Sequence, residues 1–513
     1  MPATETLWSA LAAHPDGSPA LAAPGRASLS HGRLRALVRD TVVTLNGRGI
    51  GRGDRVAIVL PNGPEMAAAF LAIGAGAATA PLNPAYREDE FDFYLSDLEP
   101  RALVIEAGME SPARTVAGRR GIPVIELVVE PERPAGSFRL QTQLAAGAAG
   151  SGGMAGPDDV ALLLHTSGTT SRPKLVPLSQ RNITASARHI GATLQLTPAD
   201  RCLNIMPLFH IHGLIGAVLS SLAAGASVFC TPGFNALKVF GWLEEAEATW
   251  YSAVPTMHQA ILARAERNRE ITARRRLRLI RSSSASLPPP VMAELEATFG
   301  CPVIESYGMT EASHQMTSNP MPPRPRKAGS VGVAAGPEVA VVDEAGRKLP
   351  QGMTGEVVIR GPNVTAGYVA NPQANAGAFI PADAGTGWFR TGDQGVLDAD
   401  GYLTITGRLK ELINRGGEKI SPREVDDLLM SHPAVAQAVT FALPHDKLGE
   451  EVAAAIVLRE GQSASERELR DFVSARLADF KVPRKVVFLP EIPKGPTGKL
   501  QRIGLAAKLG LSA

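Results

Sequence analysis

Cysteine is scarce, with only Cys202, Cys230 and Cys301 in 513 residues. They stand far apart in apolar surroundings with no paired spacing. That excludes a disulfide framework and a zinc site and points to a reducing compartment. An excess of one charge is also missing. Lysine plus arginine number 52 against 50 for aspartate plus glutamate, a net charge of +2. Nothing electrostatic therefore favours nucleic acid or an anionic membrane. The densest basic run, "TARRRLRLIR" from Thr272, reads as a solvated helix end. Long apolar runs are lacking too. "MAAAFLAIGAGAATAPL", from Met66, is rich in alanine and glycine and ends at prolines. It is short for a membrane span and reads as a buried helix running into a strand. The opening "MPATETLWSALAAHPDGSP" has no basic stretch before an apolar core, so no signal peptide is expected. The closing "GLSA" is no peroxisomal address. A cytoplasmic protein is expected.

What is present is an ordinary globular balance, 44% hydrophobic and 20% charged, on a chain long enough for two or more domains. Strand-like and helix-like segments alternate. "RVAIVLP", "ALVIE", "PVIELVV", "TWYSAVP", "LRLIRSS" and "PVIESYG" are separated by "WLEEAEA", "TMHQAILARAER" and "PPVMAELEATF". This predicts an α/β fold of mainly parallel sheets covered by helices. Sites in such folds gather at the carboxyl ends of strands, and polar clusters follow "ALLLH", "LRLIR" and "PVIES". After the proline-rich "NPMPPRPRKAG" the texture changes to short strands with glycine turns. A boundary is expected after Gly407, where charges and the pair Gly416 and Gly417 precede a helix. Ser421, Pro422 and Glu424 predict that helix's start by cap, first-turn proline and capping box.

The stretch "LHTSGTTSRPKLVPLSQ", from Leu164, is built to hold phosphate, but it is not a P-loop. Counting from Gly168, the second glycine position is Pro173, which has no N–H, and Leu175 replaces the Ser or Thr that would meet magnesium. Thr166, Ser167, Gly168, Thr169 and Thr170 offer hydroxyls and open backbone, with Lys174 as counter-charge. "ESYGMTEASH" adds an aromatic at Tyr307 for stacking on a base, and Thr310 and Glu311 for phosphate and Mg²⁺. "WFRTGD" ends at Asp393, a carboxylate able to accept from both ribose hydroxyls. "PKGPTGKLQR" places Lys499 on a glycine-flanked loop. Each residue alone is ordinary surface; their joint occurrence in this order is not.

The ordered set "TSGTTSRPK", "YGMTE", "WFRTGD", "GRLKELI" and "PTGK" resembles the adenylate-forming acyl-CoA synthetase superfamily over essentially the whole chain. Within it, Ser171, "PLFHIHGL", "RSSSASL" and "MTEASHQMTSNP" most resemble oxalate–CoA ligases. The resemblance implies a large N-terminal domain, residues 1–409, that binds ATP and the acid. A small rotating α/β domain, residues 410–513, would carry the catalytic lysine. It implies two steps: a carboxylate attacks the α-phosphate of ATP and expels pyrophosphate, then the CoA thiolate attacks the acyl carbon and expels AMP. ATP and AMP would be held by the loop from Thr166 to Lys174, by Ser306, Tyr307, Gly308, Met309 and Thr310, and by Asp393 with Arg408. Glu311 would carry Mg²⁺, Lys499 would meet the α-phosphate, Lys410 would be the hinge, and Gly416 and Gly417 would meet CoA.

For the acid, the resemblance implies His210, Ser284 and His314 around a second carboxylate. A buried dianion needs charge-assisted donors, and imidazole supplies them when a neighbouring carboxylate raises its pKa. His212 and His258 read as satisfied core residues. Malonate is the nearest competing acid. Malonyl-CoA synthetases typically carry arginine before the tyrosine of "YGMTE", where this chain has Ser306. A short-chain or aryl acid, an adenylating module that loads a carrier protein, or an inactive binding protein are the other readings.

Overall fold

The computed structural model describes residues 5–166, 173–381, 387–494 and 500–511. Two large sheets dominate. The first has seven strands, in the order Phe138–Thr142, Val124–Val129, Ala102–Glu106, Arg55–Val59, Ala78–Pro81, Val160–His165 and Leu175–Ser179. Its interior pairings are parallel and its two edge pairings antiparallel. The second has nine strands, and its centre runs parallel through Ser227–Cys230, Arg201–Asn204, Trp250–Ala253, Leu279–Ser282 and Val303–Met309. Every residue of Leu279–Ser282 is buried, Arg281 among them. A strand covered on both faces gains its stability from apolar area, so a charged side chain there is costly and needs a reason.

The alanine-rich run forms the helix Pro64–Gly74 and passes into the strand Ala78–Pro81. Proline at the first turn starts it, and the small residues bring it close to its neighbours. From Met66 to Gly74 all its residues are buried, which is why it carries no polar face. Phe70, Leu71 and Ile73 are fully enclosed, each worth on the order of 2 kcal/mol of burial. Phe70→Ala would cost about 3–5 kcal/mol. Among the described residues no helix is long and apolar enough to cross a membrane. All three cysteines are buried free thiols.

A third, antiparallel sheet holds Glu338–Val342, Thr354–Arg360, Phe379–Ile380, Trp388–Leu397 and Leu403–Arg408. A fourth holds Ile413–Arg415, Glu418–Ile420, Val435–His445, Gly449–Leu458 and Lys485–Phe488, with its own apolar core around Val425, Leu429 and Ile456. The helix Pro422–Met430 begins with proline, as the sequence suggests, but the capping box does not form. The Ser421 hydroxyl donates to the carbonyl of Thr406, and the Glu424 carboxylate receives Lys481 at 2.7 Å. The cap was diverted to tie this helix to the neighbouring sheet. The basic run from Thr272 is likewise only partly a solvated helix end. Arg274 pairs with Glu244 at the surface, whereas Arg278 grips Asp200 at 2.9 Å and Arg281 is wholly enclosed.

Candidate active site

Val160–His165 and Leu175–Ser179 are antiparallel neighbours, and the phosphate-type segment lies between them in sequence. Its base is closed by Thr166 and Lys174. The Thr166 N–H donates to the Lys174 carbonyl at 2.9 Å, and the Lys174 N–H reaches the Thr166 hydroxyl at 3.3 Å. Ser167, Gly168, Thr169 and Thr170 lie outside the described residues, as does Lys499. The Lys174 ammonium sits over the ring of Tyr368, 4.4 Å from its centre. The Tyr368 hydroxyl donates to Glu311 at 2.9 Å. Lys174 and Glu311, far apart in sequence, thus share one aromatic residue. Burial pushes the Glu311 carboxyl up, against the opposing pull of Tyr368 and Lys174.

The segment Ser306 to Glu311 runs from the strand Val303–Met309 into a single turn, Thr310–Ala312, and returns as the strand His314–Ser318. Gly308 is obligatory there, since a Cβ would stand 1.5 Å from the His314 carbonyl oxygen. Ser306 is buried with its hydroxyl toward the Ser282 carbonyl, at 3.4 Å. The Tyr307 hydroxyl donates to one oxygen of Asp393 at 2.5 Å, and Arg408 donates to the other at 2.8 Å. Asp393 and Arg408 face each other across paired strands. The fold therefore gathers Tyr307, Asp393 and Arg408 from three strands into one polar cluster. The Asp393 charge raises the Arg408 guanidinium.

Ser284 and His314 meet around a residue that sequence reasoning left to the core. His212 is fully buried, with one ring nitrogen 3.0 Å from the Ser284 hydroxyl and the other 2.6 Å from that of Ser252. Its ring lies 4.8 Å from that of His314. His212 opens a π-helix, His212–Leu219, a distortion common at functional sites. His210 is only part-buried and accepts the His212 N–H at 3.4 Å. Gly216, on the same helix, gives the His314 ring its room: a Cβ there would lie 2.6 Å from Cδ2 and Nε2. The backbone is strained at this spot. Ser284, Ser313 and His314 have φ of 73°, 51° and 103°, a region that non-glycine residues occupy at a cost of about 1–3 kcal/mol each.

A guanidinium, not a carboxylate, faces Nε2 of His314. Arg281 donates to it at 2.9 Å and to Oε1 of Gln315 at 3.2 Å. The expectation that a neighbouring carboxylate charges the imidazole finds no support in this contact. His258, the other histidine left to the core, is fully enclosed against the Tyr251 hydroxyl at 3.2 Å. Burial drives it down to about 3.

Lys410 is exposed in the turn between the third and fourth sheets, just after Leu409 donates to the Gly392 carbonyl at 3.0 Å. Gly416 and Gly417 form the turn between Ile413–Arg415 and Glu418–Ile420, at φ of 61° and 99°. Both need glycine's freedom. Lys494 and Leu500 pair across the segment that carries Lys499. Tyr368, Arg281 and His212 are the residues that sequence reasoning missed. Only Arg281 left a signal, a cation inside an otherwise apolar strand.

Residues 7–369 match the model of the AMP-binding enzyme family, and residues 424–499 match that of the AMP-binding enzyme C-terminal domain. The chain is 45% identical to the oxalate–CoA ligase of Arabidopsis thaliana, over 94% of each chain. To the oxalate–CoA ligase of Saccharomyces cerevisiae it is 43% identical, over 94% of this chain and 92% of that one. Among solved structures it is similar to ATP-bound MatB from Rhodopseudomonas palustris, with a TM-score of 0.86 and 31% identity over 97% of both chains.

Proposed function

Because this chain belongs to the AMP-binding enzyme family, we propose that its reaction is the ATP-dependent ligation of oxalate to CoA. It is an AMP-forming acyl-CoA synthetase. Oxalate is activated as oxalyl-adenylate with release of pyrophosphate, and CoA then takes the oxalyl group with release of AMP. The likeness to oxalate–CoA ligases over nearly the full chain supports this reading. The observation that carries the choice of acid is the convergence of half-buried Ser284 with the buried His212 and His314. A fatty or aryl acid needs an apolar pocket. Imidazole and hydroxyl donors, packed so closely that a methyl group at Gly216 would collide, suit a very short acid with a second carboxylate. His210, Ser284 and His314 are assigned to that carboxylate.

The remaining roles follow from charge. In the first step a carboxylate oxygen bonds to the α-phosphorus while the bond to the bridging oxygen of pyrophosphate breaks. Negative charge builds on the phosphoryl oxygens and the leaving group. Lys499 meets the first, and Lys174 with the loop from Thr166 to Thr170 meets the second. Asp393 accepts from the ribose hydroxyls, with Arg408 holding its other side. Tyr307 anchors that carboxylate, with Ser306, Gly308, Met309 and Thr310 along the adenine and phosphate path. Glu311 is a lone carboxylate that burial makes costly to ionise, and no group of three metal-binding side chains occurs among the described residues. Such a residue fits Mg²⁺ arriving with the phosphates, since that ion is held by one or two carboxylates plus substrate oxygens. When bound, it would supply charge neutralisation at the departing phosphates.

Domains of residues 1–409 and 410–513 are part of the proposal, with Lys410 as the hinge. Rotation would withdraw Lys499 and bring Gly416 and Gly417 to CoA for the second step. A cytoplasmic setting accords with three reduced, buried thiols. The test is CoA-dependent AMP release with oxalate, malonate, acetate, octanoate and coumarate. Oxalate should give the highest kcat/KM, and a preference for acetate or octanoate would overturn the reading.

A further inference from the structure

Arg281 is the largest fully buried charged side chain, and this reaction scheme leaves it without a role. It projects from the strand Leu279–Ser282, has no exposed surface, and donates to no carboxylate among the described residues. Its Nη1 donates to His314 and its Nη2 to Gln315, while Nε finds no partner among the described residues. Burying a cation in this way is costly unless something anionic answers it. Enclosure pulls the guanidinium down, but only to about 9, so it remains charged at neutral pH.

The contact also fixes the chemistry of the imidazole. Arginine has only donors. Nε2 of His314 must therefore accept, which places the ring proton on Nδ1 and keeps the ring neutral. A second proton on Nε2 would point at the guanidinium. His314 thus acts as a polarised neutral donor, backed by a charge that persists at neutral pH.

Resting on the oxalate reading, we propose that Arg281 is the positioning and specificity residue that makes the pocket select a dianion, acting through His314. The buried positive charge awaits the second carboxylate, and its hydrogen bond dictates which nitrogen of His314 donates. The fully burdened strand position then has a physical reason. A buried cation that no carboxylate of the chain answers becomes compensated when a dianion binds. A neutral group of the same shape gains no such benefit.

The test compares oxalate with oxamate, in which a carboxamide replaces the second carboxylate at nearly the same size. In Arg281→Gln the charge is gone while a polar side chain remains on the strand. The kcat/KM for oxalate should fall about tenfold to a hundredfold, while that for oxamate and the KM for ATP change less than about threefold. Arg281→Lys should recover part of the oxalate preference. Equal losses on both substrates would make Arg281 a merely structural residue and overturn the proposal. If wild-type enzyme shows no preference for oxalate over oxamate, the oxalate reading itself is what fails. The wild-type protein gives a check independent of variant folding. In ¹⁵N-histidine-labelled enzyme, assigned with His314→Gln, His314 should be neutral and protonated on Nδ1 throughout the neutral pH range. An imidazolium, or a proton on Nε2, contradicts the proposal.

Discussion

Gly216→Ala perturbs the acid site without replacing any residue assigned to bind substrate. The new Cβ would start 2.6 Å from Nε2 and Cδ2 of His314 and 3.1 Å from Cδ2 of His212, where ordinary contact begins near 3.4 Å. The His314 ring must retreat by about 0.8 Å to clear it. The displaced atom is the one that accepts from Arg281 at 2.9 Å, and a retreat of that size takes the pair outside hydrogen-bond range. Losing a bond to a charged group costs roughly 1.5–3 kcal/mol, a factor of about ten to a hundred and fifty in kcat/KM for oxalate. Fold stability should change far less. Alanine in a helix recovers up to about 1 kcal/mol over glycine, against an overpacking cost of about 1–3 kcal/mol. The assay is steady-state AMP release with oxalate varied, then with ATP varied, beside a thermal melt. A folded variant with unchanged kcat/KM for oxalate would refute the placement of His314 at the acid.

Lys499→Ala should lower oxalyl-adenylate formation by two to four orders of magnitude, about 3–5 kcal/mol of electrostatic stabilisation, while thioester formation from supplied adenylate survives; equal loss in both half-reactions counts against the assignment. Lys410→Pro fixes φ in the turn between the third and fourth sheets and should slow thioester formation more than adenylation, and full turnover would argue against a hinge there. Glu305 is fully buried, with one oxygen accepting from Leu287 at 2.9 Å, and burial raises its carboxyl from 4.5 to about 7. The native state holds that proton more tightly than the unfolded chain, so the associated stability is complete below 4.5 and is lost as pH rises through 7. The loss amounts to about 3 kcal/mol. Melting curves at pH on either side of that window should show Glu305→Gln losing less stability than wild type, and parallel curves would contradict the assignment.

Much of the fold was legible because apolar runs and turn signals alternate along the chain. The two strands that flank Thr166 and Lys174 are readable from "ALLLH" and "LVPLS", since the apolar runs stop where the hydroxyl cluster begins. Ser284 and His314 could be singled out through the resemblance to oxalate–CoA ligases. Their partners could not. Tyr368 reaches Glu311 and Lys174 from a loop that follows the third sheet's second strand, and no local pattern encodes that approach. His212 looked like core and is core, yet its hydroxyl partners come from the strand Trp250–Ala253 and from the turn after Leu279–Ser282. Arg281 was lost inside a basic run, because charge density says nothing about which side chain a doubly covered strand turns inward. Ser421 shows the opposite limit, a clear cap signal outcompeted by a tertiary acceptor on Thr406.

The central claim is that an oxygen of oxalate attacks the α-phosphorus of ATP. Oxalate labelled fully with ¹⁸O, turned over with ATP and CoA, tests it directly. The attacking oxygen stays on phosphorus when the thiolate expels AMP. Mass spectrometry should therefore find one ¹⁸O in AMP, none in pyrophosphate, and oxalyl-CoA lacking that atom. Unlabelled AMP, or label in pyrophosphate or inorganic phosphate, would contradict the account.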